Sequence, residues 1–455
     1  MDSFDKTEGH PEAAGASPAP AVAPLRADGA QGGAGSGTLD EALVPLEEGG
    51  VTAARGFSAA GVHAGFREDP QRLDLALVVA DEPCAAAGVF TQNVFCAAPV
   101  TLCREHLEGV GHGTARAVIV NSGNANAATG EPGMRAARDT AGIVADAVGC
   151  PAQEVLVAST GVIGIHLDLA PFRTGVPAAL EAASPEGGLA AARAIMTTDT
   201  HPKQSAVQFS GDDVGYAGCT FTVGGMSKGS GMIMPNMATM ICVVTTDAPV
   251  ADAPLHEALV RAVGRSFNKI TVDSDTSTND SCIALASGAA APAGAARFEP
   301  GSPAFARFEA ALTAVCEDLA RQMAADGEGA SRLVTVRLSG AADDADADLA
   351  ARAVANSPLV KTAIAGRDAN WGRVAAALGK SGAAFRQQDV DIDIMGIPVC
   401  RAGLTVPFDE DEALRRFEAP EVVIDVDLGA GESATTMWTC DFTHDYISIN
   451  GDYRS

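Results

Sequence analysis

Two patterns of apolar residues alternate along most of the chain. Short apolar runs rich in β-branched residues, such as 75–80 (LALVVA) and 117–120 (AVIV), are typical of buried strands. The Ala-rich stretches between such runs carry apolar residues at helical spacing. This alternation begins near Gly49 and predicts an α/β protein.

The clearest predicted helix runs from residue 303 to residue 325. Its apolar residues form one stripe, which consists of Phe305, Phe308, Leu312, Val315, Leu319 and Met323. Gly327 suits the C-terminal cap and the β-rich run 333–338 follows, so residues 326–329 (DGEG) are predicted to form a helix-to-strand loop. Loops of this kind commonly present functional side chains. A second helix is predicted over 255–267, where apolar residues fall at four-residue steps.

Residues 1 to 46 differ in composition from the rest of the chain. Ala, Gly, Pro, Ser and acidic residues dominate this segment. Such a composition cannot bury enough apolar surface to order itself, so we expect a disordered extension there.

Charge and apolar run length exclude several classes of protein. A formal net charge of −27 opposes nucleic-acid binding, because that binding relies on Lys and Arg displacing counterions. No apolar run approaches the ~20 residues of a membrane helix, and the acidic start lacks the features of a signal peptide. We therefore expect no nucleic-acid partner, no membrane partner and a cytoplasmic location.

The ten cysteines and eight histidines show no metal-binding spacing. No C-x-x-C or H-E-x-x-H motif occurs, so no protein-bound catalytic metal is expected. A chain of 455 residues does not need disulfides to hold its core, and we expect reduced, mostly buried thiols.

Two short motifs that suggest ligand binding lack essential residues. The run 379–381 (GKS) ends like a phosphate-binding loop, but Val374 stands where that loop needs glycine. The run 273–277 (DSDTS) resembles the start of a calcium loop, but Thr278 and Ala284 replace the required Gly and Glu. We expect a helix-end loop at the first run and local hydrogen bonds to the backbone at the second.

The most informative stretch is 224–244 (GGMSKGSGMIMPNMATMICVV). A glycine-rich segment that contains Lys228 leads into a Met-rich linker and then into an apolar strand that begins at Thr239. Judged by residue type alone, Thr239 is a packing residue, because Thr favours buried strands. By the same standard, 159–164 (STGVIG) is a polar turn that closes the strand over 155–157.

This stretch resembles the self-cleavage site of the ornithine acetyltransferase (glutamate N-acetyltransferase) family of arginine biosynthesis. The resemblance covers the chain from about Gly49 to its last residue. The other matching blocks follow the order of the family: 121–127 (NSGNANA), 159–164 (STGVIG), 194–200 (AIMTTDT), 326–330 (DGEGA), 356–362 (NSPLVKT), 370–373 (NWGR) and 450–455 (NGDYRS).

The resemblance implies that the precursor cuts its own Ala238–Thr239 bond. The products would be an α-chain, 47–238, and a β-chain, 239–455. Together they would form an α/β fold of layered sheets and helices, of the N-terminal-nucleophile-like type. Thr239 would be the nucleophile. Its own α-amine, with an ordinary pKa of ~7.7 to 8.0, would act as the base. The resemblance also places the oxyanion hole at Thr160 and Gly161.

The family's substrate-contacting positions correspond to residues with suitable chemistry. They are Thr197, Lys228, Thr239, Glu328, Asn450 and Ser455. N-acetylornithine carries a carboxylate and an ammonium group, whereas glutamate carries two carboxylates, so a site for both needs cationic and anionic partners. Lys228 and Glu328 can supply those charges, and which substrate group each one holds stays open. Without the family, both would be interpreted as solvated surface charges.

The implied reaction is a ping-pong acetyl transfer from N-acetylornithine to glutamate that needs no cofactor. Many members of the family also accept acetyl-CoA as a donor, and the sequence carries no mark that separates the two kinds of enzyme. The family further implies a heterotetramer of two α- and two β-chains.

Three alternatives remain open from the sequence. The chain can be an N-terminal-nucleophile amidohydrolase, in which water resolves the acyl-enzyme, or a paralogue that acts on another acetylated amino acid. Substrate tests separate these two from the acetyltransferase. A non-catalytic relative would remain uncleaved on a denaturing gel.

Overall fold

The computed structural model describes residues 42–234 and 240–452. The elements before residue 235 are β1 (Leu43–Pro45), β2 (Phe57–Val62), β3 (Leu75–Phe90), α1 (Ala98–His106), β4 (His112–Asn124), α2 (Gly130–Val148), β5 (Val155–Val162), α3 (Ala170–Ala182), α4 (Gly188–Ala194), β6 (Lys203–Ser210) and β7 (Thr220–Lys228). The elements after residue 239 are β8 (Ile241–Thr246), α5 (Asp252–Arg265), β9 (Ser281–Ala286), α6 (Pro303–Ala325), β10 (Leu333–Ala341), α7 (Asp344–Ala355), α8 (Pro358–Ala365), α9 (Trp371–Gly379), β11 (Asp391–Ile394), β12 (Ile397–Arg401), β13 (Leu404–Thr405), α10 (Glu410–Arg416), β14 (Glu421–Asp427), β15 (Ser433–Cys440) and α11 (His444–Asp452).

The larger sheet of the described chain has the strand order β1-β6-β7-β8-β9-β3-β4-β5, and β2 also pairs with β3. Its neighbours are antiparallel except for the parallel pairs β8–β9 and β4–β5. The two strands β8 and β9, which follow residue 239, therefore lie between β7 and β3, which precede it.

The two halves of this sheet share one apolar core. Alternate residues point to opposite faces of a strand. Val118 and Val120 of β4 belong to the same buried cluster as Ile241 and Val243 of β8. The outer faces are covered by helices, with α1, α2 and α3 on the β4–β5 side and α5 and α6 on the β8–β9 side. This stacking of sheet and helix layers confirms the predicted α/β class.

The smaller sheet has the order β13-β12-β11-β14-β10-β15 and carries α7, α8, α9 and α10 on its core side. Its β10–β14 pair is parallel, and its other pairs are antiparallel. Helix α6 packs against β6 and β7 of the larger sheet and against β10 and β15 of the smaller one. The loop that follows α6 therefore lies close to both sheets.

Helix α6 has the predicted bounds, Pro303–Ala325. The Ser302 side chain accepts a hydrogen bond from the amide of Phe305, which caps the first turn. The second predicted helix, 255–267, is found as α5 over Asp252–Arg265. It ends earlier than predicted because Ser266 has a non-helical backbone, with φ −120° and ψ −89°.

Regular structure is found within the predicted extension, before its boundary at residue 47. Strand β1, Leu43–Pro45, pairs with β6, and the Leu43 side chain is buried. Most of the predicted extension, residues 1–41, lies outside the described residues. The expected helix-end loop at 379–381 is present, since α9 ends at Gly379.

All ten cysteines are free thiols, eight of them buried and two partly buried, which confirms the sequence-based expectation. Within 42–234 and 240–452, no group of His, Cys, Asp and Glu side chains is arranged to hold a metal ion. Over the same ranges, no helix combines the length and apolar character that crossing a membrane requires.

Candidate active site

Most of the predicted site residues line one small cavity. Its volume is about 110 Å³. Its lining consists of Ala125, Thr160, Gly161, Ile163, Thr197, Thr198, Lys228, Gly231, Met232, Ser277, Thr278, Asn279, Glu328 and Asn450. Two larger clefts of about 820 Å³ each contain none of the predicted residues. The small cavity is therefore the candidate active site.

One wall of the cavity is the end of strand β5, which carries Thr160 and Gly161. Gly161 pairs with Gly123 of the parallel strand β4 and has φ +130°, a conformation that L side chains rarely adopt. A Cβ atom at Gly161 would lie 2.6 Å from the Asn124 nitrogen. The backbone of two strands therefore leaves room only for glycine at this position.

The polar segment 277–280 ties this wall to the middle of the sheet. The Asn279 amide group donates hydrogen bonds to the carbonyl oxygens of Ala125 at 2.6 Å and of Ser159 at 2.9 Å. Ser159 directly precedes Thr160, and Asn279 lies just before β9. The position of the β5 end is thus fixed from the neighbouring part of the sheet.

Lys228 ends strand β7 on the opposite side and is only 4% exposed. Burial, together with the repulsion of the Lys203 charge, lowers the pKa of its ammonium group despite the opposing attraction of the Asp199, Glu328 and Asp280 carboxylates. The protonated form of Lys228 would therefore be stabilised by a further anion. A substrate carboxylate in the cavity would be such an anion.

A buried cluster of Asp199, Lys203 and Asp326 lies behind the cavity. The Lys203 ammonium group contacts an Asp199 oxygen at 2.7 Å and an Asp326 oxygen at 2.6 Å. Burial acts to raise the pKa of Asp199, but the charges of Lys203 and Lys228, together with the hydrogen bonds from Lys203 and the Thr197 amide, hold that pKa below its ordinary value. The two carboxylates and the ammonium group are therefore charged in the protein interior. Each charge is stabilised by the opposite charges beside it, so removing one would leave the others buried and unpaired.

This cluster positions three of the predicted substrate residues. The Asp199 carboxylate accepts hydrogen bonds from the amide of Thr197 at 2.9 Å and from the amide of Gly229, the residue after Lys228, at 2.7 Å. Asp326 begins the loop that carries Glu328. Three distant chain segments are thereby held around one cavity.

Glu328 and Asn450 contact each other directly. The Asn450 side chain donates to a Glu328 carboxylate oxygen at 2.8 Å, and the Glu328 amide donates to the Ser230 carbonyl oxygen at 2.8 Å. Glu328 is 9% exposed. Gly231 faces its carboxylate, and a Cβ atom there would collide with it. Helix α11, which carries Asn450, therefore closes one side of the cavity.

Three predicted residues, Ala238, Thr239 and Ser455, lie outside the described residues. The chain on either side of 235–239 is described. The Asp273 carboxylate accepts hydrogen bonds from the amides of Met232 and Ile233, and Asp280 accepts one from the amide of Met240. The local backbone hydrogen bonds expected of the 273–277 run are also present, since Asp273 accepts from the amide of Asp275 at 3.3 Å and the Ser277 hydroxyl group accepts from the amide of Asn279 at 3.1 Å.

Sequence reasoning missed four residues that shape the site: Asp199, Lys203, Asn279 and Asp280. Asp199 lies in one of the blocks that carry the family resemblance, but not at a substrate-contacting position. Lys203, Asn279 and Asp280 lie outside those blocks. Its charge inside a matching block is the signal that could have identified Asp199.

The fold and the site together define an α/β protein whose cavity combines a strand-end glycine, a buried lysine and a buried glutamate. The ArgJ family matches residues 58–455, and the chain belongs to this family. The arginine biosynthesis bifunctional protein ArgJ of Symbiobacterium thermophilum is 52% identical over 408 residues, covering 90% of this chain and 99% of that protein. The protein of the same name from Thermosynechococcus vestitus is 49% identical over 422 residues, covering 90% and 98%.

Two solved structures are similar to parts of the chain. The ArgJ protein of Bacillus halodurans is 43% identical and covers 46% of this chain and 98% of its own, with a TM-score of 0.45. Ornithine acetyltransferase of Mycobacterium tuberculosis, solved with ornithine, is 42% identical and covers 43% and 98%, with a TM-score of 0.38.

Proposed function

We propose that this chain is a self-cleaving acetyltransferase of arginine biosynthesis that moves the acetyl group of N2-acetyl-L-ornithine to L-glutamate. The observation that carries the proposal is the convergence of Thr160, Gly161, Lys228 and Glu328 on one cavity, in a member of the ArgJ family. The relatives are named as bifunctional proteins of arginine biosynthesis, which supports the pathway.

In the proposed mechanism the hydroxyl group of Thr239 attacks the acetyl carbonyl carbon and its α-amine accepts the proton. Negative charge develops on the acetyl oxygen, and Thr160 and Gly161 donate hydrogen bonds to it. Such donors are worth ~10²- to 10³-fold in turnover. Ornithine leaves, and the amine of glutamate takes the acetyl group from the ester on Thr239.

Two buried charges serve the two substrates in turn. Lys228 binds a carboxylate that both substrates share, since its protonated form gains from an added anion. Glu328, held by Asn450 at 2.8 Å, binds the side-chain ammonium group of ornithine. Thr197 and Ser455 contribute neutral hydrogen bonds. The reaction requires no cofactor, and the name of the relatives supports acetyl-CoA as a second donor.

The products of cleavage, 47–238 and 239–455, are proposed to stay together and to assemble as a heterotetramer of two α- and two β-chains. The cytoplasmic location expected from the sequence stays a prediction.

The test combines a denaturing gel with a transfer assay. Wild-type protein should give two fragments, the second beginning with Thr239, whereas Thr239→Ala should stay intact. The cleaved protein should form N-acetylglutamate from N-acetylornithine only when glutamate is present. If free acetate is released without glutamate as fast as N-acetylglutamate forms with it, the protein is an amidohydrolase instead. Replacing N-acetylornithine by acetyl-CoA tests the second donor.

A further inference from the structure

One amide side chain joins the ends of the two strands that form a wall of the cavity. The Asn279 side-chain nitrogen donates to the carbonyl oxygens of Ala125 at 2.6 Å and of Ser159 at 2.9 Å. Ala125 directly follows strand β4, and Ser159 lies in strand β5 directly before Thr160. Asn279 is 6% exposed. A buried side chain therefore links these two strand ends.

The regular ladder of the sheet is interrupted at this end of β5. The parallel pairing with β4 shifts register there, so that Asn124 pairs with both Thr160 and Val162. Gly161 lies between these two residues and has φ +130°, far from the values of regular strands. Contacts from outside the ladder are therefore needed to define the strand end, and the Asn279 side chain supplies two of them.

The side chain of Asn279 uses its donors within the protein. A carboxamide has two N–H donors, and the carbonyl groups of Ala125 and Ser159 take both. Its oxygen atom accepts from the Thr278 hydroxyl group at 2.6 Å, which turns the nitrogen towards the two strands. Asn279 lines the cavity, but it has no N–H donor left for a substrate. Its side chain therefore acts on the cavity wall and not on a ligand.

We propose that Asn279 is a positioning residue for acetyl transfer, which holds Thr160 and Gly161 where they donate hydrogen bonds to the acetyl oxygen. The inference rests on the function proposed above. An oxyanion hole stabilises the transition state only when its donors lie at hydrogen-bond distance from the developing charge. Loss of the two bonds from Asn279 would let the strand end move, and a displacement of about 1 Å can cost ~10²-fold in rate.

These bonds would also join the two products of cleavage. Asn279 follows the predicted cut, and both carbonyl groups that it holds precede it. The backbone beside Asn279 is held in the same way: the Thr278 carbonyl oxygen accepts from the amide of Ala97 at 2.9 Å, and that of Asp280 accepts from the amide of Thr91 at 3.0 Å. The later product would therefore position the oxyanion hole of the earlier one.

Asn93 provides a matched control, because it holds the same polar segment with the same chemical group. Its side-chain nitrogen donates to the Thr276 carbonyl oxygen at 2.8 Å, and its side-chain oxygen accepts from the amide of Phe95 at 2.9 Å. Neither partner belongs to β4 or β5. Asn93→Ala therefore loosens the segment without releasing the end of β5.

The experiment measures kcat and KM for N-acetylglutamate formation from N-acetylornithine, per cleaved chain as quantified on a denaturing gel. Asn279→Ala should lower kcat about 100-fold. It should change KM by less than about threefold, because an oxyanion hole acts in the transition state. Asn93→Ala should keep kcat within about threefold of wild type. Equal kcat values in the two variants overturn the proposal, and so does a loss in Asn279→Ala that lies in KM alone.

A double variant tests whether Asn279 acts through the oxyanion hole. Thr160→Val should lose ~10²- to 10³-fold in kcat on its own. Adding Asn279→Ala should cost less than about tenfold more, because residues that act as a unit are not additive. If the two losses multiply in full, Asn279 acts independently of Thr160 and the proposal is overturned.

Thermal unfolding of all variants separates misfolding from misplacement. If Asn279→Ala does not fold or stays uncut, Thr278→Val replaces it, since it removes only the hydroxyl donor to the Asn279 oxygen. Its kcat should fall at least about threefold at unchanged KM, and a smaller fall overturns the proposal. Wild-type protein without acetyl transfer would refute the proposed function itself. A slow Thr160→Val beside a fast Asn279→Ala would refute the positioning role alone.

Discussion

Replacing Gly161 by alanine tests the oxyanion hole against a second glycine, Gly164, three residues later. Gly161 and Gly164 both have positive φ angles, +130° and +83°. A Cβ atom at Gly161 would lie 2.6 Å from the Asn124 nitrogen, whereas at Gly164 no atom lies within 4 Å. A side chain at Gly164 therefore costs roughly 1–2 kcal/mol in a left-handed conformation. Gly161 lies outside that region, so Gly161→Ala costs at least as much and must also move backbone.

The backbone displacement falls on the group proposed to bind the acetyl oxygen. Losing one such donor costs ~10²- to 10³-fold in turnover, or about 3–4 kcal/mol. We expect kcat for acetyl transfer to fall by at least about 100-fold in Gly161→Ala and by less than about threefold in Gly164→Ala.

The assay is N-acetylglutamate formation by protein whose cleavage has been checked on a gel, together with thermal unfolding of both variants. A Gly161→Ala protein that turns over as fast as Gly164→Ala would refute the assignment of the strand end. An equal fall of kcat in Gly161→Ala and Gly164→Ala would attribute the effect to the whole segment 161–164.

Three further predictions concern the buried charges. Lys203→Met leaves Asp199 and Asp326 without their cation, and urea unfolding should show a stability loss of roughly 3–5 kcal/mol. The pKa values of Asp199 and Asp326 are held low in the folded protein, so their stabilisation is complete above the ordinary Asp value of 3.8 and is lost as the pH falls below it. Urea midpoints measured from pH 6 to pH 3 should therefore fall most steeply at the acid end, and a flat profile would contradict this. Glu328→Gln should raise KM for N-acetylornithine about tenfold or more, through loss of a charged contact, while KM for acetyl-CoA should change little.

The sequence predicted the regular elements wherever one periodic signal was strong. Helix α6 has its predicted bounds because its apolar stripe, its Ser302 cap and the following glycine all agree. Strand β3 was predicted only over 75–80, but it extends to Phe90. The exposed residues Asp81 and Glu82 interrupt the apolar pattern there although the strand continues, because residues 84–90 pair with β4 and β9.

The site was predicted only as far as the family resemblance reached. Lys228 and Glu328 were assigned in this way, and the structure brings them to one cavity. Lys203 and Asp326 are 123 positions apart in the sequence, and no local pattern indicates that they form a buried pair. A charged residue is interpreted from sequence as solvated, because burial of a charge depends on partners that only the fold supplies.

The placement of β8 and β9 has a consequence for the fate of the two products. After a cut before Met240, strands β8 and β9 of the C-terminal product would remain in the middle of the sheet. Strands β7 and β3 of the N-terminal product would be hydrogen-bonded to them, one on each side. Pulling the pieces apart would expose four unpaired strand edges at once, two on each product. Cleavage would thus create a new chain end without releasing a free subunit. If the C-terminal product were made alone, its exposed strand edges would favour aggregation over later assembly with the N-terminal product.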